Sequence, residues 1–152
     1  MTPSRVKAAT VLQKVGQVRE MLDGLSRVPL DDLQAFSKNP IVEAAAESYL
    51  RRALEALLDL GRHILAKGFG EGPSEYKEIA VLLGRAGVLD EADAALMVKL
   101  AGYRNRMVHF YDEISRGELF DICSHEVGDV RRILGAILAW VRANPERVDG
   151  AI

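Results

Sequence analysis

Cysteine is almost missing. The chain has 152 residues and a single one, Cys123, which excludes an internal disulfide framework and a cysteine-rich zinc site. Histidine is also scarce, and His63, His109 and His125 are scattered. That spacing argues against a multi-histidine metal site, and neither a metal nor another cofactor is expected. Charge of one sign is lacking too. Lys+Arg is 20 and Asp+Glu is 22, for a net charge of -2, so nucleic-acid binding would need a local basic site. No run of roughly 18 apolar residues occurs, so no membrane helix is expected. The opening MTPSRVKAATVLQKVGQ has no unbroken apolar run after its basic residues and does not read as a secretory signal. A cytoplasmic protein is the default.

What is present is an ordinary globular composition, 49% hydrophobic and 28% charged, long enough to bury a core. We read 1–152 as a single domain. Helical periodicity dominates. Val11, Val15, Val18, Leu22 and Leu25 repeat at spacings of four, three, four and three, the seam of a long helix that Asp23-Gly24 and Pro29 weaken and end. A short helix is expected over Asp31 to Phe36. Pro40 then opens a long one with Asn39 as its cap, and Leu50, Ala53, Leu54, Leu57, Leu58, Gly61, Ile64 and Leu65 form its apolar stripe. The GFGEGPS stretch, 68–74, follows a helix and lacks nucleotide-loop spacing, so it reads as a helix end and a turn. A helix from Ser74 to about Gly84, a turn at Gly87 to Asp90, and a helix capped by Asp90 and running toward His109 come next. One last helix is expected from about Ser115 to Ala143, with Pro145 and Gly150 marking a frayed tail. No stretch alternates with period two. The expected fold is an all-α, up-and-down bundle of four to six helices.

One segment carries chemistry: Gly102-Tyr103-Arg104-Asn105-Arg106-Met107-Val108-His109-Phe110-Tyr111. Arg104 falls inside the stripe of Met97, Leu100, Ala101 and Val108. Burying an arginine there is costly unless it has a partner or a cleft. Either it snorkels or pairs with a carboxylate of a neighbouring helix, or it forms the wall of a phosphate-binding cleft. His109 sits near a helix C-terminus, where the macrodipole favours the protonated form. It is either a capping or surface residue or an acid and base near neutral pH. Lys99, Arg104, Arg106 and Arg116 against Asp112 and Glu113 make a modest basic patch, or a solvated face. His63 and His125 fall off their stripes and read as solvent-facing or interfacial. Cys123 reads as a small core hydrophobe and Trp140 as packing.

Arg104-Asn105-Arg106-Met107-Val108-His109-Phe110-Tyr111 resembles the R-N-x-x-V-H-x-Y signature of HEPN-domain proteins of the HepT type. The resemblance extends to the helix after Pro40, the G-x-G-x-G-P-S-x-Y turn (Gly68 to Tyr76), Ala86 to Asp90, and Tyr111 to Glu113, covering about Leu30 to Trp140. It implies a HEPN-like bundle acting as a metal-independent endoribonuclease, the toxin of a type VII-like toxin–antitoxin pair. It also implies a homodimer whose two motifs face one cleft and RNA as substrate. Arg104 and His109 match the catalytic pair, and Asn105 matches a supporting polar residue. Tyr111 matches the tyrosine that an MntA-type nucleotidyltransferase antitoxin modifies with AMP. From the residues themselves, Tyr111 could equally be a packing residue. Two other readings remain open: a non-catalytic substrate-binding or regulatory subunit of a nucleotidyltransferase, and a purely structural helical dimer.

Helix geometry sets a condition on the pair. Five residues on an unbroken helix turn through ~500°, which points Arg104 and His109 ~140° apart. Either the helix ends or tightens before His109, or the site takes one residue from each subunit.

Overall fold

The computed structural model describes residues 2–109 and 114–152. The helices are α1 (Ala8–Ser26), α2 (Leu33–Lys38), α3 (Pro40–Phe69), α4 (Tyr76–Arg85), α5 (Glu91–Val108), α6 (Arg116–His125) and α7 (Val127–Ala143). The all-α expectation holds, but the described residues form seven helices rather than the expected four to six, because the last expected helix is two. The seam of α1 is buried as its periodicity requires and packs along α3. Gly24 is what permits that approach, because a Cβ there would overlap the Tyr49 ring.

Local chemistry sets most of the boundaries. The Asp32 carboxylate accepts from the Gln34 N–H at 3.0 Å and starts α2. The Asn39 side chain accepts from the N–H groups of Ile41 and Val42 at 3.2 and 3.3 Å, while Pro40 fills the first helical position of α3, which needs no donor. Gly70 ends α3 at φ 68, in the left-handed region that glycine enters at little cost. Gly87, at φ 78, turns the chain after α4. The Asp90 carboxylate accepts from the Asp93 N–H at 2.7 Å and starts α5. All six other helices pack on α3, whose buried Leu50, Leu54, Leu57, Leu58, Ile64 and Leu65 form the centre of the core. Cys123 is buried, and burial pushes its thiol up to about 12, so it behaves as a small hydrophobe.

Two expectations are corrected. The last helix is divided at Glu126 (φ -114, ψ 5) into α6 and α7. The apolar pattern runs on across the junction. Glu126 instead turns its carboxylate to α5, where Lys99 and Tyr103 donate to it at 2.6 and 2.9 Å. The tail is also not frayed. A 3-10 turn at Pro145–Arg147 leads to Val148, which is buried and bridged in parallel to Val6. The Val6 N–H donates to the Arg147 carbonyl at 2.7 Å and the Asp149 N–H to the Val6 carbonyl at 3.0 Å. At the start of α1 no side chain of the preceding residue caps the helix. The Ala8 N–H donates to Asp149 Oδ1 at 2.8 Å and the Lys7 N–H to His63 Nε2 at 3.0 Å. His63 is thus half-buried and serves as an acceptor in this clasp, while His125 is exposed as expected. Among the described residues, no strand is present beyond that single bridge, and no helix is long and apolar enough to cross a membrane.

Candidate active site

The last two turns of α5 carry the motif. Arg104 reaches between α3 and α4 with its side chain 25% exposed. Its guanidinium carbon lies 4.5 Å from the centre of the Tyr76 ring, a cation–π distance. Its Nε stands 3.6 Å from Glu55 Oε1, close enough for an ion pair and too long for a hydrogen bond. That Nε is buried and makes no hydrogen bond to any described residue. The same Glu55 oxygen accepts from Arg51 at 3.3 Å, so Arg104 has only a share of it. The two expectations for Arg104 are therefore both met in part: a carboxylate on a neighbouring helix lies nearby, and a cleft opens beside it.

α5 ends at Val108. His109 has left the helix (φ -103, ψ 121), although its N–H still donates to the Asn105 carbonyl at 3.1 Å. That exit removes the ~140° divergence of an unbroken helix. Arg104, Asn105 and His109 of one chain line a single cleft of about 460 Å³, together with Arg62, Ser74, Glu75, Tyr76 and Lys77. The fourth residue singled out, Tyr111, lies outside the described residues.

Two features of the cleft favour an anion. Among its described lining residues, Arg62, Lys77 and Arg104 stand with Glu75 as the one acidic residue. The first turn of α4 also faces it, and Glu75 at the helix start supplies no side-chain cap. The rest of the basic patch is committed elsewhere. Arg106 forms a two-pronged pair with Glu118 at 2.7 and 2.6 Å and holds that carboxyl below the usual range. Lys99 pairs with Glu126, and Arg116 with Glu43 at 2.9 Å. Among these four, Arg104 has the loosest ionic partner.

Sequence reasoning missed the residues around Arg104. The Tyr76 hydroxyl donates to Asp59 Oδ1 at 3.2 Å, and Arg62 donates to the same oxygen at 3.0 Å while its guanidinium carbon lies 5.0 Å from the Tyr76 ring centre. Burial, followed by the charge of Asp59, raises the Tyr76 pKa and keeps the phenol a neutral donor. Glu55, Asp59 and Arg62 sit at helical spacing beside the apolar stripe of α3, a pattern that was available to find them.

Over residues 12–137 the chain matches the family described as ribonuclease HepT-like. It is 30% identical over 113 residues to the tRNA nuclease HepT of Aphanizomenon flos-aquae, across 73% of this chain and 74% of that one. It is 21% identical over 129 residues to the mRNA nuclease HepT of Shewanella oneidensis, across 85% of this chain and 96% of that one. Its fold superposes with a TM-score of 0.77 and 21% identity on a tri-AMPylated HEPN toxin of Shewanella oneidensis solved with an MNT antitoxin, covering 86% of this chain and 97% of that one. A match across most of the helical core, a relative at this identity and the shared all-α fold lead to one conclusion: the chain belongs to the ribonuclease HepT-like family.

Proposed function

We propose that this protein is a metal-independent endoribonuclease, the toxin of a toxin–antitoxin pair in the cytoplasm, built as one domain over 1–152 and working as a homodimer. The observation that carries this reading is the single cleft lined by Arg104, Asn105 and His109. That the relatives are a tRNA nuclease and an mRNA nuclease supports RNA as the substrate. Only RNA offers a 2′-hydroxyl as an internal nucleophile.

In this mechanism an imidazole of His109 takes the 2′ proton as the oxygen bonds to phosphorus. The bond from phosphorus to the 5′ oxygen breaks, and that oxygen leaves with a proton from a second imidazole. Two copies of His109, one from each subunit, provide both roles at once. The products carry a 2′,3′-cyclic phosphate and a 5′-hydroxyl. The planar fork of Arg104 holds the scissile phosphate and stabilises the charge that builds on its oxygens. Asn105 orients the imidazole or a phosphate oxygen. An MntA-type nucleotidyltransferase partner silences the toxin by adding AMP to Tyr111, placing a phosphate and a bulky base in the RNA path.

The test is incubation of wild type and His109→Ala with total RNA in EDTA. Cleavage by wild type alone, with 5′-hydroxyl ends, is the expected result. No cleavage by a folded, unmodified dimer overturns the reading in favour of a non-catalytic subunit of a nucleotidyltransferase. Tyr111→Phe keeps cleavage and abolishes modification; loss of cleavage in that variant assigns the tyrosine a structural or catalytic role instead.

A further inference from the structure

Arg104 is held unlike a structural arginine. A structural arginine in this chain, Arg106, spends both prongs of its fork on a carboxylate. Arg104 has its Nε turned inward near Glu55, while its Nη groups donate to none of the described residues. What it rests on is a ring. Tyr76 lies 4.5 Å beneath the guanidinium, and the ring is itself pinned by its hydroxyl to Asp59, which Arg62 also grips. The ring comes from the first residue of α4, whereas Arg104 comes from α5, so the contact ties together two helices that form the cleft.

We propose that Tyr76 is the positioning residue of the site: its ring fixes the plane of the Arg104 guanidinium and leaves the Nη fork free for a phosphate oxygen. The contact suits this role on physical grounds. A ring face attracts a guanidinium without consuming any of its N–H donors, so Arg104 is held and remains available. A carboxylate in the same place would occupy the donors that the phosphate needs. The half-made contact between Nε and Glu55 adds direction without saturating the group. This inference rests on the ribonuclease reading for its kinetic arm only.

Two substitutions separate the parts of Tyr76. Tyr76→Phe keeps the ring and removes the hydroxyl; Tyr76→Leu removes the ring. The first measurement does not depend on cleavage. In an amide spectrum covering arginine Nε–H signals, assigned with Arg104→Lys, the Arg104 signal is expected to be ring-current shifted and protected from exchange. It persists in Tyr76→Phe and loses both properties in Tyr76→Leu. The second is cleavage of a mixed-sequence single-stranded RNA oligonucleotide. Tyr76→Leu is expected to lower kcat by about 10- to 100-fold with KM within about threefold, the scale of a lost cation–π contact and a misplaced reacting group. Tyr76→Phe stays within about threefold of wild type.

An unshifted Arg104 signal in wild type, or one that survives in a folded Tyr76→Leu, overturns the proposal. So does an equal kcat loss in the Phe and Leu variants, because the hydroxyl rather than the ring would then matter. If Tyr76→Leu does not fold, the wild-type and Tyr76→Phe spectra decide. If wild type cleaves nothing, the ribonuclease reading falls while the spectra still judge the role of Tyr76.

Discussion

The two halves of α5 are built to different standards. From Glu91 to Ala101 the helix is finished. Asp90 caps it, and Met97, Leu100 and Ala101 are buried. The buried Asp93 carboxylate receives Arg132 at 2.8 Å. From Gly102 onward no residue of the helix is fully buried, and Arg104 keeps a buried Nε that no described residue satisfies. The first half anchors the helix in the core. The second leaves donors and a helix end incomplete, which a folding-only criterion would remove. That contrast supports the proposed site independently of the motif, since an unsaturated cation beside a cleft can act on a ligand.

The sharpest way to break this comparison is Arg104→Ala. It should cost cleavage roughly 100- to 1000-fold, the scale of losing a transition-state donor set. Stability should fall only slightly, by about 0.5–1 kcal/mol for the lost contact with the Tyr76 ring, because Arg104 makes no saturated ion pair in the fold. A large fall in stability would make Arg104 a structural residue and erase the contrast.

Met97→Ala tests the other half. Met97 is fully buried, and truncation should destabilise by about 2–5 kcal/mol in urea unfolding. Cleavage per folded molecule should stay near wild type. Arg132→Ala should cost less, about 1 kcal/mol, by leaving the Asp93 carboxylate short of a donor. The same assay reads it.

The smallest effect belongs to His63. Burial, with Lys67 and Lys7 adding to it, lowers its pKa below 6.5. The unfolded chain therefore takes up this proton at a higher pH than the folded one. The stability contribution is complete above the unfolded value and is lost as pH falls through it toward the folded value. Urea midpoints at about pH 7.5 and about pH 5.5 should differ less in His63→Gln than in wild type. An unchanged difference would remove His63 from the clasp.

Most of the helices could be read because their causes are local. Asn39, Pro40, Gly70 and Asp90 each act on backbone groups within a few residues. The α6–α7 break was hidden because its cause, the grip of α5 on Glu126, lies 23 and 27 residues away in sequence. The clasped tail was hidden for a similar reason: Val6 and Val148 meet only once the bundle has formed. In the cleft, Arg104, Asn105 and His109 share one segment and stood out. Glu55 and Asp59 stand one turn apart on α3, which marks a polar face, but only the packing of α3, α4 and α5 shows that this face and Tyr76 meet Arg104.

The parallel pairing of Val6 with Val148 has a mechanical meaning. A pull applied toward the N-terminus at residue 6 and toward the C-terminus at residue 148 runs along the two paired segments in opposite directions. It loads their hydrogen bonds side by side, in shear, rather than peeling them one by one. The bond from Ala8 to Asp149 lies in the same short stretch and shares that load. A machine that unfolds this domain by pulling along the chain would meet this fastening before it reached α1 or α7.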